Sequence, residues 1–145
     1  MVKVLIKKLF PGVQLPSYKT SGASGMDLMA FIKSSITIKP KTSYLIPTGL
    51  SVAFSEDYEV QIRPRSGLAA KNNISILNTP GTIDSDYRGE IKVIIYNHGN
   101  NDFIINNGDR IAQMVISKYE QISFTLTENL DHTERGEGGY GHTGI

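Results

Sequence analysis

Residues Asn78 to Glu90 read NTPGTIDSDYRGE. The stretch opens on the breakers Asn78, Thr79, Pro80 and Gly81, and Gly89 stands near its end. Ile74 to Leu77 before it and Ile91 to Tyr96 after it are apolar runs of strand length. Two such runs joined through a polar, glycine-bounded segment predict a wide β-hairpin. Its tip carries Asp84, Asp86, Tyr87 and Arg88. Acids at a turn ordinarily bond the nearby backbone, and Asp86 suits that use better than Asp84.

Outward from the hairpin the chain is a series of short β-type runs. Tyr58, Val60 and Ile62 alternate with Glu59, Gln61 and Arg63, the period of a half-buried strand. Val2 to Leu9, Met26 to Ile32, Ile36 to Ile38, Tyr44 to Ile46, Leu50 to Phe54 and Phe103 to Ile105 are further strand-like runs. Ile111 to Ile116 and Ile122 to Leu126 are expected to complete the core. Pro, Gly and Asn punctuate them, most strongly at Asn106-Asn107-Gly108-Asp109. Only Arg65 to Lys71 holds good helix formers, with room for a turn or two. This pattern predicts an all-β fold with one short helix, a barrel or sandwich of jelly-roll type.

Composition removes several function classes. The 145 residues suffice for one domain with a core, and the formal charge of +1 gives no field that would recruit nucleic acid or membrane. There is no cysteine, so disulfides, thiolate catalysis and cysteine-bound zinc are excluded. His98, His132 and His142 have no metal-ligand spacing and suit loop or surface positions. No apolar run reaches the length of a membrane helix, and the N-terminus lacks a cleavage pattern. A cytoplasmic location is the expectation.

Residues 1–128 are predicted to form the barrel and residues 129–145 a flexible arm. The arm is poor in apolar residues and contains Gly136, Gly138, Gly139, Gly141 and Gly144. It cannot offset its own ordering entropy by burial. Yet it carries Arg135, Tyr140 and Thr143, which a merely solubilising tail does not need. Glycine-rich backbone and arginine both suit phosphate oxygens, so an arm that orders over a phosphate ligand accounts for its contents.

Five segments now stand in order: GASGMDL (22–28), RPRSGLAAK (63–71), the hairpin (78–90), GDRIAQM (108–114) and RGEGGYGHTG (135–144). Together they resemble the five motifs of the trimeric dUTPases, the dUTP pyrophosphatases. That resemblance narrows the fold to a distorted jelly-roll β-barrel, and it implies a homotrimer and three active sites each assembled from three subunits. It implies attack of water on the α-phosphorus of dUTP with Mg²⁺, giving dUMP and pyrophosphate. Such an activity keeps uracil out of DNA and supplies dUMP for dTMP synthesis. The same scaffold also carries dCTP deaminases, bifunctional deaminase-dUTPases and non-catalytic nucleotide-binding trimers. The glycine-rich arm with its arginine and aromatic favours the dUTPase branch.

The resemblance also assigns roles residue by residue. Asp84 matches the acid that takes a proton from the attacking water. Tyr87 matches the ring that lies against deoxyribose and leaves no space for a 2′-hydroxyl. Asn78, with the backbone of Gly81, Thr82 and Ile83, matches the uracil-binding edge, and Lys92 joins the same substrate-binding set. Arg65, Ser66 and Gly67 match the phosphate-binding segment at a helix start, where Ser66 also fits a helix N-cap. Gln113 matches an amide that donates to the phosphates. Asp27, an acid in an apolar run, matches the residue that positions a site arginine, and a structural salt bridge would equally satisfy it. Arg135 matches an arginine supplied from another subunit. Gly138, Tyr140, Gly141 and Thr143 match the closing arm, with Tyr140 stacked over uracil and Thr143 near the γ-phosphate. The metal would be held by phosphates and water, since no acid cluster is evident. Met26, Glu137, Tyr140 and His142 depart from the residues common in the family.

Overall fold

The computed structural model describes residues 2–139. Among them run β1 (Leu5–Lys8), β2 (Met26–Met29), β3 (Ile36–Ile38), β4 (Ser43–Pro47), β5 (Leu50–Ala53) and β6 (Tyr58–Arg63). Then follow α1 (Ser66–Asn72), β7 (Ile74–Ile76), β8 (Gly81–Ile83), β9 (Lys92–Asn97), β10 (Phe103–Ile105) and β11 (Arg110–Lys118). The strands are all antiparallel and fall into sheets of order β2-β11-β6-β8, β4-β9-β7, β1-β5 and β3-β10. This is the all-β fold with one short helix that the turn-punctuated sequence predicts.

Period-two alternation builds the core. In the four-stranded sheet Leu28, Val60, Ile62, Ala112 and Met114 point inward. Ile46, Ile74, Ile76, Val93 and Ile95 meet them from the three-stranded sheet. Burial of a side chain of this size contributes about 1.5–3 kcal/mol. Polar side chains on the other face of β6 and β11 are bonded: Arg63 Nε and Nη2 donate to Gln61 Oε1, and Gln113 Nε2 donates to the Pro64 carbonyl at 3.2 Å. One buried amide, Asn97, donates to the carbonyls of Ile38 and Asn101, so its polarity is satisfied.

The predicted hairpin exists, with β7 pairing β9 in the register Ser75↔Tyr96. Its interior holds an extra strand that the sequence reading lacks. β8 leaves the hairpin and pairs β6 of the other sheet, with Gln61 opposite Thr82. Several strand boundaries also differ, most clearly in three strands. The first strand covers only Leu5–Lys8, the second stops at Met29, and β11 runs on to Lys118.

The strand expected at Ile122–Leu126 does not form. Ile122, Phe124 and Leu126 keep an apolar alternation, but they are 74% to 99% exposed and pair with nothing in the same chain. The apolar alternation is there in the sequence, but the segment pairs with no strand of this chain and its side chains are not buried. No helix among the described residues is long and apolar enough to cross a membrane.

Candidate active site

Asn78, Thr82, Ile83, Asp84, Tyr87 and Lys92 line one cleft of about 380 Å³, together with Leu45, Glu90 and Ile94. A volume of this order suits a small-molecule ligand. β8 forms one wall. It is the edge strand of its sheet, bonded to β6 on one side only. The backbone N–H and C=O groups of its other edge are therefore available to a ligand. Asn78 lies close by, its amide nitrogen 3.4 Å from where a Cβ on Gly81 would sit. Asp84 follows β8 directly and is exposed.

The turn after Asp84 is held by its own backbone and by Arg88. Tyr87 N–H donates to the Asp84 carbonyl at 3.1 Å. Arg88 Nη1 donates to the Ser85 carbonyl at 2.6 Å and to the Tyr87 carbonyl at 3.0 Å. The stabilising side chain here is thus Arg88, in place of the Asp86 that turn propensity suggests. The Tyr87 hydroxyl donates to the Glu90 carbonyl at 3.0 Å.

The return of the loop is fastened to the turn between β4 and β5. Ser51 Oγ donates to the Arg88 carbonyl at 2.7 Å and Thr48 Oγ1 to the Ile91 carbonyl at 2.7 Å. Glu90 Oε1 accepts from Gly49 N–H at 2.8 Å, and its other oxygen lies 3.7 Å from Lys92 Nζ. None of Thr48, Ser51 or Glu90 was singled out from the sequence. Their signal is invisible there because each bond spans about forty residues of chain. Leu45, Glu90 and Lys92 also border a larger open groove of about 800 Å³, lined by Phe10, Phe31 and Tyr44 among others.

A second group of predicted residues gathers elsewhere. Asp27 Oδ1 lies 2.9 Å from Arg65 Nε, and Asp27 Oδ2 lies 3.4 Å from Arg110 Nη1. Arg65 Nη1 also donates to the Arg110 carbonyl at 3.1 Å. Asp27 is therefore a salt-bridged acid and a holder of Arg65 at once. No role is assigned to Arg110 from the sequence, since its partner Asp27 lies 83 positions away along the chain. Ser66 and Gly67 follow on the exposed first turn of α1. The N-cap is Arg65, without a side-chain bond, so Ser66 is the first helical residue and not the cap. A Cβ on Gly67 would touch nothing within 4 Å, so packing inside this chain does not require a glycine there.

The structure does not bring the two groups together. Asp27, Arg65, Ser66 and Gly67 are absent from the lining of the Asp84 cleft, and Gln113 lines a different hollow with Ser24, Arg63 and Pro80. Arg135 and Gly138 also lie away from it. Arg135 Nε donates to the Gly138 carbonyl at 2.8 Å, closing a turn within the exposed arm. Tyr140, Gly141 and Thr143 lie outside the described residues. Among the described residues no three His or acid side chains converge as a metal site.

An all-β fold with an edge strand open to a ligand-sized cleft, a carboxylate at its rim and a separate arginine-carboxylate cluster has the form of a small-molecule-binding protein. The family pattern of the dUTPases matches residues 12–144, and this chain belongs to the dUTPase family. It is 57% identical to the deoxyuridine 5′-triphosphate nucleotidohydrolase of Fusobacterium nucleatum, over 99% of each chain. It is also 57% identical to the enzyme of that name from Rickettsia bellii, over 100% of this chain and 97% of that one. The fold is shared with the dUTPase of Staphylococcus bacteriophage 80alpha solved with dUPNHPP, at a TM-score of 0.88 and 23% identity over 99% of each chain.

Proposed function

We propose that this protein hydrolyses Mg²⁺-dUTP to dUMP and pyrophosphate in the cytoplasm, by attack of water on the α-phosphorus. The observation that carries the reading is the Asp84 cleft of a dUTPase-family chain, where Asn78, the free edge of β8, Tyr87 and Asp84 share one wall. Uracil pairs with the Asn78 amide and with the main chain of Gly81, Thr82 and Ile83. Cytosine offers a donor where uracil offers an acceptor, and the methyl of thymine meets main chain. A mismatched buried polar group is costly, so discrimination by such an edge is large. Tyr87 lies against the deoxyribose. Asp84 orients the water and takes its proton.

The phosphates are met by Arg65, Ser66, Gly67 and Gln113 of a second copy in a homotrimer, with Asp27 holding Arg65. The arm from residue 129 onward, of a third copy, closes over the site through Arg135, Gly138, Tyr140, Gly141 and Thr143. A cation from outside the reacting subunit stabilises charge on the phosphate chain as it separates. Mg²⁺ enters bound to the triphosphate and water. The separation of the two residue groups in one chain supports this shared assembly.

The test is product analysis with Mg²⁺ and dUTP, UTP, dTTP and dCTP offered separately. Pyrophosphate and dUMP from dUTP alone are expected. Ammonia from dCTP would place the chain on the deaminase branch instead, and no turnover of a folded protein would leave only a binding scaffold.

A further inference from the structure

A glycine in a folded chain serves either an unusual backbone conformation or a need for space. Gly89 does not serve the first. The described glycines with positive φ are Gly12, Gly49, Gly108 and Gly136, so the backbone at Gly89 is one that other residues adopt. Space is a different matter. A Cβ at Gly89 would lie 2.3 Å from the Tyr87 hydroxyl oxygen, 2.5 Å from its Cζ and 2.9 Å from its Cε2. Each is well inside the separation of about 3.5–4.0 Å that non-bonded carbons prefer. The Tyr87 hydroxyl bond to the Glu90 carbonyl draws the ring back along its own chain and onto Gly89. That carbonyl is itself fixed, because the Glu90 side chain is bonded to Gly49 N–H and Thr48 holds the next carbonyl.

We propose that Gly89 is a positioning residue for sugar discrimination: its missing side chain is the seat that holds the Tyr87 ring at the sugar side of the cleft. The proposal rests on the reading of Tyr87 as the ring that meets deoxyribose. It differs from an ordinary structural role in its consequences. The atoms in the way of a Cβ belong to the far end of a side chain that is 44% exposed. A methyl group at position 89 therefore displaces the ring and leaves the barrel intact. Fold stability is spared while the wall against a 2′-hydroxyl is lost.

The experiment compares wild type, Gly89→Ala, Tyr87→Ala and the double variant on dUTP and UTP with Mg²⁺. In Gly89→Ala the ratio of kcat/KM for dUTP over UTP should fall by about ten- to a hundredfold, the scale of losing one close steric contact. Its melting temperature should stay within about 4 °C of wild type, the equivalent of a small stability change. In the Tyr87→Ala background the glycine substitution should change the ratio no further, because the two residues act through one contact. An unchanged ratio in Gly89→Ala overturns the proposal, and so does an equal loss in the Tyr87→Ala background. If wild type turns over neither nucleotide, the functional reading fails by itself. The seat is then judged by a crystal structure of Gly89→Ala, where a Tyr87 hydroxyl still on the Glu90 carbonyl overturns it and a displaced ring supports it.

Discussion

A residue that takes a proton from water needs to face solvent and the reacting atom together. Asp84 faces solvent at the rim of the cleft, because β8 ends at Ile83 and the next residue turns out, and this position suits the proposed role. Asp84→Asn keeps the shape and the hydrogen-bonding reach but removes the proposed base. The rate on dUTP should fall by roughly two to four powers of ten while a nonhydrolysable dUTP analogue still binds. Single-turnover rates alongside calorimetric titration check this, and near-normal turnover would remove Asp84 from the role. Asn78, Asp84 and Tyr87 were legible in the sequence because they sit within ten positions on one excursion of chain. Arg110 and Gly89 were not. Arg110 takes its meaning from Asp27, 83 positions away, and Gly89 from the tilt of a neighbouring ring.

At the scale of elements, the alternation of Tyr58–Arg63 and the turn signals around it were enough to place most strands. β8 escaped because three residues, Gly81 to Ile83, are too few to show a period, and their pairing with β6 is a tertiary fact. The opposite error fell on Ile122–Leu126, where a clear period gave a core strand that the barrel does not contain. Beyond Lys118 the chain forms no helix or strand among the described residues, and from residue 120 to residue 137 it is exposed. Removing 135–145 should therefore leave the barrel folded, with a melting temperature close to that of the full chain and the same oligomeric mass by light scattering, while activity is lost. Aggregation of the shortened chain would show instead that the arm is structural.

Over the whole molecule, the order β2-β11-β6-β8 sets Asp27 and the Asp84 hairpin on opposite edges of one sheet. Three interstrand spacings separate those edges, about 14 Å, and they face away from each other. A single copy thus carries the Asp84 cleft at one edge and the Asp27–Arg65 cluster at the other, and on the proposed reading one ligand meets both where two copies adjoin. The four apolar side chains Ile122, Phe124, Leu126 and Leu130, at least 74% exposed, point the same way. Each forfeits about 1.5–3 kcal/mol of burial unless another copy covers it. A site shared in this fashion has a signature that a site within one chain lacks. Asp84→Asn chains keep an intact arm, and chains lacking 135–145 keep an intact hairpin, yet each is expected to be inactive alone. Mixed in equal amounts under confirmed subunit exchange, about a quarter of sites should combine a good hairpin with a good arm, since the two parts arrive independently in a symmetric assembly. Activity should return to that fraction of wild type and should fall away when exchange is blocked by cross-linking before mixing. A mixture that stays inactive after exchange would mean that hairpin and arm serve the same chain, and that the separation seen in one copy closes by folding of the arm rather than by assembly.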